Sequence, residues 1–286
     1  MSKFVFLEEF EEFLSGHKPE IEGFHPHLAK AFWEMLLNGG KRFRPALLLS
    51  IVEACNPTLV RNAFLPALAL ECLHTYSLVH DDLPSMDNAP LRRNHPTLHV
   101  SYGEVSAILI GDALNTYAFY LLSLSRLDVG VKVALVRALS QDGGISGMVL
   151  GQALDCHFEG QKLELEKLRF IHLHKTAKLI ATSLKMGALI GGLDSHTTQR
   201  LYDFGLVLGL YFQVRDDIID CVATDEEAGK PTGNDTNKNS YVNLLGLEGA
   251  RKEAQNLKSQ ALGFLEGFPP AIRSNLEKLL SQYFKD

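Results

Sequence analysis

Apolar residues recur three and four positions apart along nearly the whole chain, and strand-length alternation is scarce. Leu7, Phe10 and Leu14 set this spacing near the start. The stretch 63–79 is long, apolar and rich in strong helix formers (ALALECL). Segments 105–125, 131–139, 145–158, 164–190, 198–221, 247–266 and 271–284 carry the same helical signature. Gly-Gly, Asn-Pro and Pro-Pro pairs punctuate them, and only 229–239 reads as a polar loop. No fixed-period repeat or linker divides the chain. The pattern predicts an all-α fold: a single domain over residues 1–286, with roughly ten or more helices. Segments 105–122 and 201–219 are apolar on more than one face, so each is expected to run through the middle of the bundle.

Length supports this reading. A 286-residue chain can bury a large core and needs no disulfide or structural metal. The four cysteines, Cys55, Cys72, Cys156 and Cys221, form no CxxC pair. They read as free thiols in a reducing cytoplasm, with Cys156 and Cys221 assigned to the core. The net charge of −6 argues against nucleic-acid binding. The acidic N-terminus lacks the features of a signal peptide, and no run of 18 apolar residues predicts a membrane span.

The chemistry lies in two acidic clusters. HDDLPSMD, 80–87, places Asp81, Asp82 and Asp87 at the C-terminal end of a long apolar helix, where the helix dipole disfavours acids. On an ideal helix Asp81 and Asp87 lie about 120° apart, and Pro84 is expected to kink or bulge the helix between them. QVRDDIID, 213–220, sets Gln213, Asp216 and Asp220 on one face, with Asp217 beside it, inside an otherwise apolar segment. One cluster alone fits a solvated helix end. Two suggest helices facing each other across a cavity, with hard divalent cations such as Mg²⁺ between them.

Basic groups flank both clusters: Lys41, Arg42 and Arg44; Arg92 and Arg93; Lys175 and Lys178 around Thr176; and Lys230 and Lys238. Arginine suits bidentate phosphate contacts and lysine acts as a mobile point charge, so a metal-bridged diphosphate explains the combination. The blander alternative pairs Arg92 and Arg93 with nearby acids at the surface, and Arg42 reads as a structural or surface residue. The His80-Asp81 dipeptide also raises a metal-dependent phosphohydrolase, but the second cluster is all aspartate. GxxxxGK[ST], GxGxxG after a strand and HExxH are missing.

The segments GGKRFRPALLL, ALECLHTYSLVHDDLPSMDNAPLRRNHPTLHVSYGE, AILIGDALNTYAF, GQALD, HKTAKLI, FQVRDDIIDC and GKPTGND…NKNSYVNLLGLEGAR follow one another in this order. Through them the chain resembles the trans-isoprenyl diphosphate synthases, in particular the bacterial enzymes that make farnesyl diphosphate. The resemblance implies helices around a deep apolar cavity, a cytoplasmic homodimer, and Mg²⁺, three ions with substrate bound. It also implies head-to-tail condensation of isopentenyl diphosphate with an allylic diphosphate by ionisation, condensation and elimination. By the same resemblance Asp81, Asp87 and Asp216 are the direct metal ligands, supported by Asp82, Asp217 and Asp220. Lys41, Arg44, His74 and Arg93 match the isopentenyl diphosphate positions. Arg92, Lys175, Thr176, Gln213, Lys230 and Lys238 match the allylic diphosphate positions. Lys175, Thr176 and Gln213 thereby join the six aspartates as the expected catalytic set.

Tyr76 and Ser77 lie one helical turn or slightly more before Asp81. Tyr76 is the expected floor of the product cavity, roughly 7.5 Å along the helix from Asp81. Asn88, Ala89 and Pro90 stand where the family often has further acids, and 234–239 is about two residues short of the family pattern. Geranylgeranyl or another short-chain product, a terpene cyclase and an inactive regulatory subunit are the alternatives. The cationic group at Lys41, Arg44 and His74 counts against a cyclase, and the two intact acidic clusters count against a regulatory subunit.

Overall fold

The computed structural model describes residues 4–222 and 239–284, which fold as helices around one continuous apolar core. Helices α1 (Val5–Gly16), α2 (Leu28–Leu37), α3 (Phe43–Cys55) and α4 (Phe64–Asp81) are followed by a small antiparallel hairpin, β1 (Leu91–Arg92) with β2 (His95–Pro96). Then come α5 (Leu98–Tyr102), α6 (Glu104–Leu124), α7 (Val129–Gly143), α8 (Met148–His157) and α9 (Leu165–His172). A π-helical turn, Leu173–Ala177, leads into α10 (Lys178–Ile190). Helices α11 (Ser195–Val222), α12 (Tyr241–Glu266) and α13 (Pro270–Tyr283) complete the bundle.

The centre of the bundle differs from the expectation. In α3 every residue from Pro45 to Val52 is buried, and neither α2 nor α3 was among the helices expected from the sequence. α6, expected at the centre, buries Ala107, Ile110, Gly111, Leu114 and Ala118 and leaves an apolar stripe outside, with Val105 72%, Leu109 54% and Tyr120 55% exposed. It is also the one helix among the described residues long and apolar enough to cross a membrane, though no single run of 18 apolar residues foretold it. Its inner face packs on α4. A β-carbon at Gly111 would lie 2.1 Å from His80 Nε2, so only glycine admits this approach. The imidazole then donates from Nε2 to the Ile108 carbonyl at 3.1 Å.

Two further expectations change. Segment 164–190 is not one helix, because the π-helical turn widens it in the middle. Cys156 and Cys221 are exposed, not core; Cys72 is the buried thiol. Cys156 follows Asp155 on the face of α8 that lines a cleft, which its apolar neighbours concealed.

Candidate active site

The first acidic cluster is built by ending α4, not by kinking it. With no N–H at Pro84, the chain leaves the helix at Asp81 and folds back on itself. Leu83 N donates to His80 O at 3.1 Å and Asn88 N to Leu83 O at 3.0 Å. Asp87 N reaches Asp81 O at 2.8 Å, so the turn brings together two aspartates that a straight helix would separate. Asp82 points inward, 1% exposed, and takes Arg92 through Nε at 2.7 and 2.9 Å and Nη2 at 2.6 Å. The hairpin returns Arg92 to this position, so the pair is a part-buried clamp and not a surface contact. Burial pushes the Asp81 carboxyl up to about 6; Lys175 draws it down and Asp87 adds to the rise.

The π-helical turn meets two helices through small residues. A β-carbon on Gly151 of α8 would sit 2.1 Å from the Lys175 backbone nitrogen, and one on Gly209 of α11 2.3 Å from Ala177 Cα. Four residues on from each glycine, on the same helical face, stands a polar partner. Asp155 Oδ2 lies 2.5 Å from Lys175 Nζ. Gln213 Oε1 accepts from the Thr176 hydroxyl at 2.8 Å. Burial opposes the Lys175 charge, but Asp155 and Asp81 outweigh it and the ammonium is held above its ordinary range. Gln213 Nε2 donates to Asp217 Oδ1 at 3.0 Å, and Asp217 Oδ2 accepts from Tyr241 N, the first residue of α12, at 2.8 Å. Within α11 Gln213 thus pairs with Asp217, at i+4. Asp216 is exposed and Asp220 turns inward. Asp87, Asp155 and Asn239 line one cleft with Gln152 and Cys156.

A second cationic group lies at the starts of α3 and the hairpin. Arg44 Nη1 donates to His74 Nε2 at 3.0 Å. The Arg44 Nε and His74 Nδ1 atoms are buried with no hydrogen-bond partner among the described residues. Burial lowers Arg44 to about 10 and, with the charge of Arg44, holds His74 well below its ordinary value and therefore neutral. Arg93 donates to Gly39 O at 2.5 Å and lies where a β-carbon on Gly40 would be 2.8 Å from its guanidinium. Among the described residues it makes no acidic surface pair of the kind weighed from sequence. Arg42 is structural: it is buried and bound to Glu11 at 2.8 Å and Glu71 at 3.0 Å. Lys41 is exposed, with its carbonyl accepting from Tyr283. Lys230 and Lys238 lie outside the described residues.

Tyr76 is buried, edge-on to His80 with ring centroids 5.7 Å apart, and Ser77 donates to the His74 carbonyl. Asp155 has no counterpart in the expectations drawn from sequence. Its signal was a lone acid at i+4 from Gly151 in an apolar helix, and only the tertiary contact with Lys175 gives that signal meaning.

Among the described residues no three His, Cys, Asp or Glu side chains are grouped closely enough to hold a metal ion alone. The donor set still fits Mg²⁺, which takes one or two carboxylates and completes its shell with water and phosphate oxygens. The rise of Asp81 to about 6 is the cost of a buried acidic cluster, and a divalent cation would offset it.

The polyprenyl synthetase family model matches residues 25–266. The farnesyl diphosphate synthase of Geobacillus stearothermophilus is 47% identical over 249 residues, 85% of this chain and 83% of that protein. A chloroplastic geranylgeranyl pyrophosphate synthase of Capsicum annuum is 43% identical over 249 residues, 85% of this chain and 67% of that protein. The crystal structure of a geranyltransferase from Helicobacter pylori, complexed with magnesium and isoprenyl diphosphate, superposes with a TM-score of 0.95. It is 53% identical, and the match covers 98% of this chain and 96% of that one. The predominantly helical fold, with its acidic clusters on α4 and α11, and its likeness to that crystal structure define the class, an isoprenyl diphosphate synthase architecture. The chain belongs to the polyprenyl synthetase family.

Proposed function

We propose that the chain is a short-chain prenyltransferase that condenses isopentenyl diphosphate with dimethylallyl or geranyl diphosphate, giving farnesyl diphosphate and pyrophosphate. The observation that carries this reading is the presence of two separate cationic groups. Lys175 and Arg92 stand by the acidic clusters, while Arg44, His74 and Arg93 form another group with buried donors unspent. A reaction between two diphosphates needs two such places; a cyclase needs one.

Asp81, Asp87 and Asp216 would hold Mg²⁺, three ions with substrate bound, with Asp82, Asp217 and Asp220 in support. The bound ions supply positive charge to the diphosphate oxygens as the allylic C–O bond breaks. Lys175 and Arg92, with Lys230 and Lys238, hold the allylic diphosphate. Asp155 keeps the Lys175 ammonium charged and aimed into the cleft. Arg44, Arg93, Lys41 and neutral His74, which can donate through Nδ1, hold the isopentenyl diphosphate. Its double bond attacks the allylic carbon, a proton leaves the adjacent carbon, and no protein nucleophile is involved. Thr176 and Gln213 orient oxygen dipoles near the developing cation. An apolar cavity beneath the carboxylates, as the family resemblance implies, would exclude water from it, and Tyr76, backed by Ser77, would close the floor at fifteen carbons.

The reading treats the chain as one prenyl synthase domain, cytoplasmic and homodimeric. The outer stripe of α6, where Val105, Ile108, Leu109, Tyr120 and Leu124 follow helical spacing, supports the dimer. The test is incubation with isopentenyl diphosphate, geranyl diphosphate and Mg²⁺, with products read by mass. A fifteen-carbon diphosphate that forms only when both substrates are present is expected. A cyclic hydrocarbon formed from the allylic diphosphate alone would overturn the assignment.

A further inference from the structure

We infer that Asp217 is a positioning residue that sets the direction of a hydrogen-bond relay ending at the Thr176 hydroxyl. The proposal rests on reading the cleft as the site of prenyl transfer. The relay runs from Tyr241 N to Asp217 Oδ2, from Gln213 Nε2 to Asp217 Oδ1, and from Thr176 Oγ1 to Gln213 Oε1, at 2.8, 3.0 and 2.8 Å.

Two of its three members are ambiguous by themselves. A glutamine amide offers a donor on one side and an acceptor on the other, and a half-turn about its last torsion exchanges them. A hydroxyl donates or accepts according to its neighbour. The carboxylate is not ambiguous, because it can only accept. Asp217 Oδ2 is committed to the α12 N-terminus, where the free N–H and the helix dipole both favour an anion. Its Oδ1 therefore obliges Gln213 to present its NH₂ group, which turns the Gln213 carbonyl toward Thr176. The Thr176 hydroxyl must then spend its proton on Gln213. Its oxygen lone pairs are left as a negative dipole for any positive charge that comes near. The packing that holds the relay in register is the close approach of Gly209 to Ala177, one helical turn before Gln213.

Asp217→Asn tests this, since asparagine keeps the shape and changes one acceptor to a donor. Its carbonyl can still take Tyr241 N, but its NH₂ then faces the NH₂ of Gln213. The least costly remedy is for the Gln213 amide to turn over. Thr176 then accepts from Gln213, and its proton swings outward. Acting through Thr176, the substitution should lower kcat by about tenfold or more while leaving the KM for isopentenyl diphosphate unchanged. In a Thr176→Val background the same substitution should change kcat by less than about threefold, because the group it acts through is gone. Equal losses in both backgrounds would mean that Asp217 does not act through Thr176 and would overturn the proposal.

A second readout does not depend on activity. Neutron diffraction from deuterated, substrate-free crystals should place the Thr176 deuteron toward Gln213 in the parent protein and away from it in Asp217→Asn. A parent deuteron already pointing away refutes the relay, even if the variant does not fold. A parent protein without prenyl-transfer activity would sink the functional reading, while the neutron maps still decide the relay.

Discussion

Lys175 and Thr176 are neighbours in one π-helical turn, yet they engage different helices: Lys175 pairs with Asp155 of α8, and Thr176 with Gln213 of α11. A regular α-helix turns about 100° per residue, so adjacent side chains already diverge. The wider π turn, pressed against Gly151 on one side and Gly209 on the other, lets that divergence engage α8 and α11 at once.

The electrostatics of Asp81 set a pH dependence. Its carboxyl titrates near 6 in the folded chain against an ordinary 3.8. Between these values the folded chain binds a proton that the unfolded chain has released. The resulting stabilisation is complete below 3.8 and is lost as pH rises through 6. Buried His74 and His172, held below their ordinary range, contribute the opposite slope over the same window. Without metal, the Asp81 contribution is therefore read as the difference between proteins: Asp81→Asn should make Tm rise more steeply from pH 4 to 6.5 than it does in the parent. Mg²⁺ should raise Tm at pH 7.5 far more than at pH 5, and differential scanning calorimetry with and without chelator measures both. Asp81→Ala and Asp216→Ala should each lower kcat by roughly a thousandfold, and chelation should abolish turnover.

Asp155→Asn should cost activity more than stability. Neither partner is fully enclosed, so losing the ion pair should destabilise by roughly 1–2 kcal/mol, well short of a fully buried pair. Lys175 would lose the contact that aims it, and kcat should fall about tenfold with the KM for isopentenyl diphosphate unchanged. Urea titration and steady-state kinetics separate the two effects. An unchanged kcat would remove Asp155 from the site.

Gly209→Ala adds one methyl group in the seam that places Gln213. It would sit 2.3 Å from Ala177 Cα, which is backbone and cannot swing aside. Overpacking of this kind costs roughly 1–3 kcal/mol. Thermal unfolding should register that loss, and kcat should fall further than for the same change at Gly263, which has open space around it.

Tyr76→Ala should lengthen the product to twenty carbons or more. The ring is buried against His80, and its removal opens the space beneath the carboxylates. Product masses decide the matter. A folded, active variant that still stops at fifteen carbons would show that Tyr76 does not set the length.

The helical fold, the two aspartate clusters and the flanking cations were legible in the chain itself, because apolar period and residue type are local properties. Helix α3 was not legible: it is buried on all sides, and a helix with no polar face leaves no periodic mark. The course of 80–89 was also hidden, since Pro84 signals an interruption without saying whether the helix bends or ends. The pairings were decided by the tertiary structure alone. Asp155 with Lys175 spans 20 residues, Thr176 with Gln213 spans 37, and Arg44 with His74 spans 30. Nothing local distinguishes these acids and bases from others nearby; they are selected by which helices can approach closely. Gly151 and Gly209 permit those approaches by having no side chain, and that contact has meaning only once the partner helix is in place.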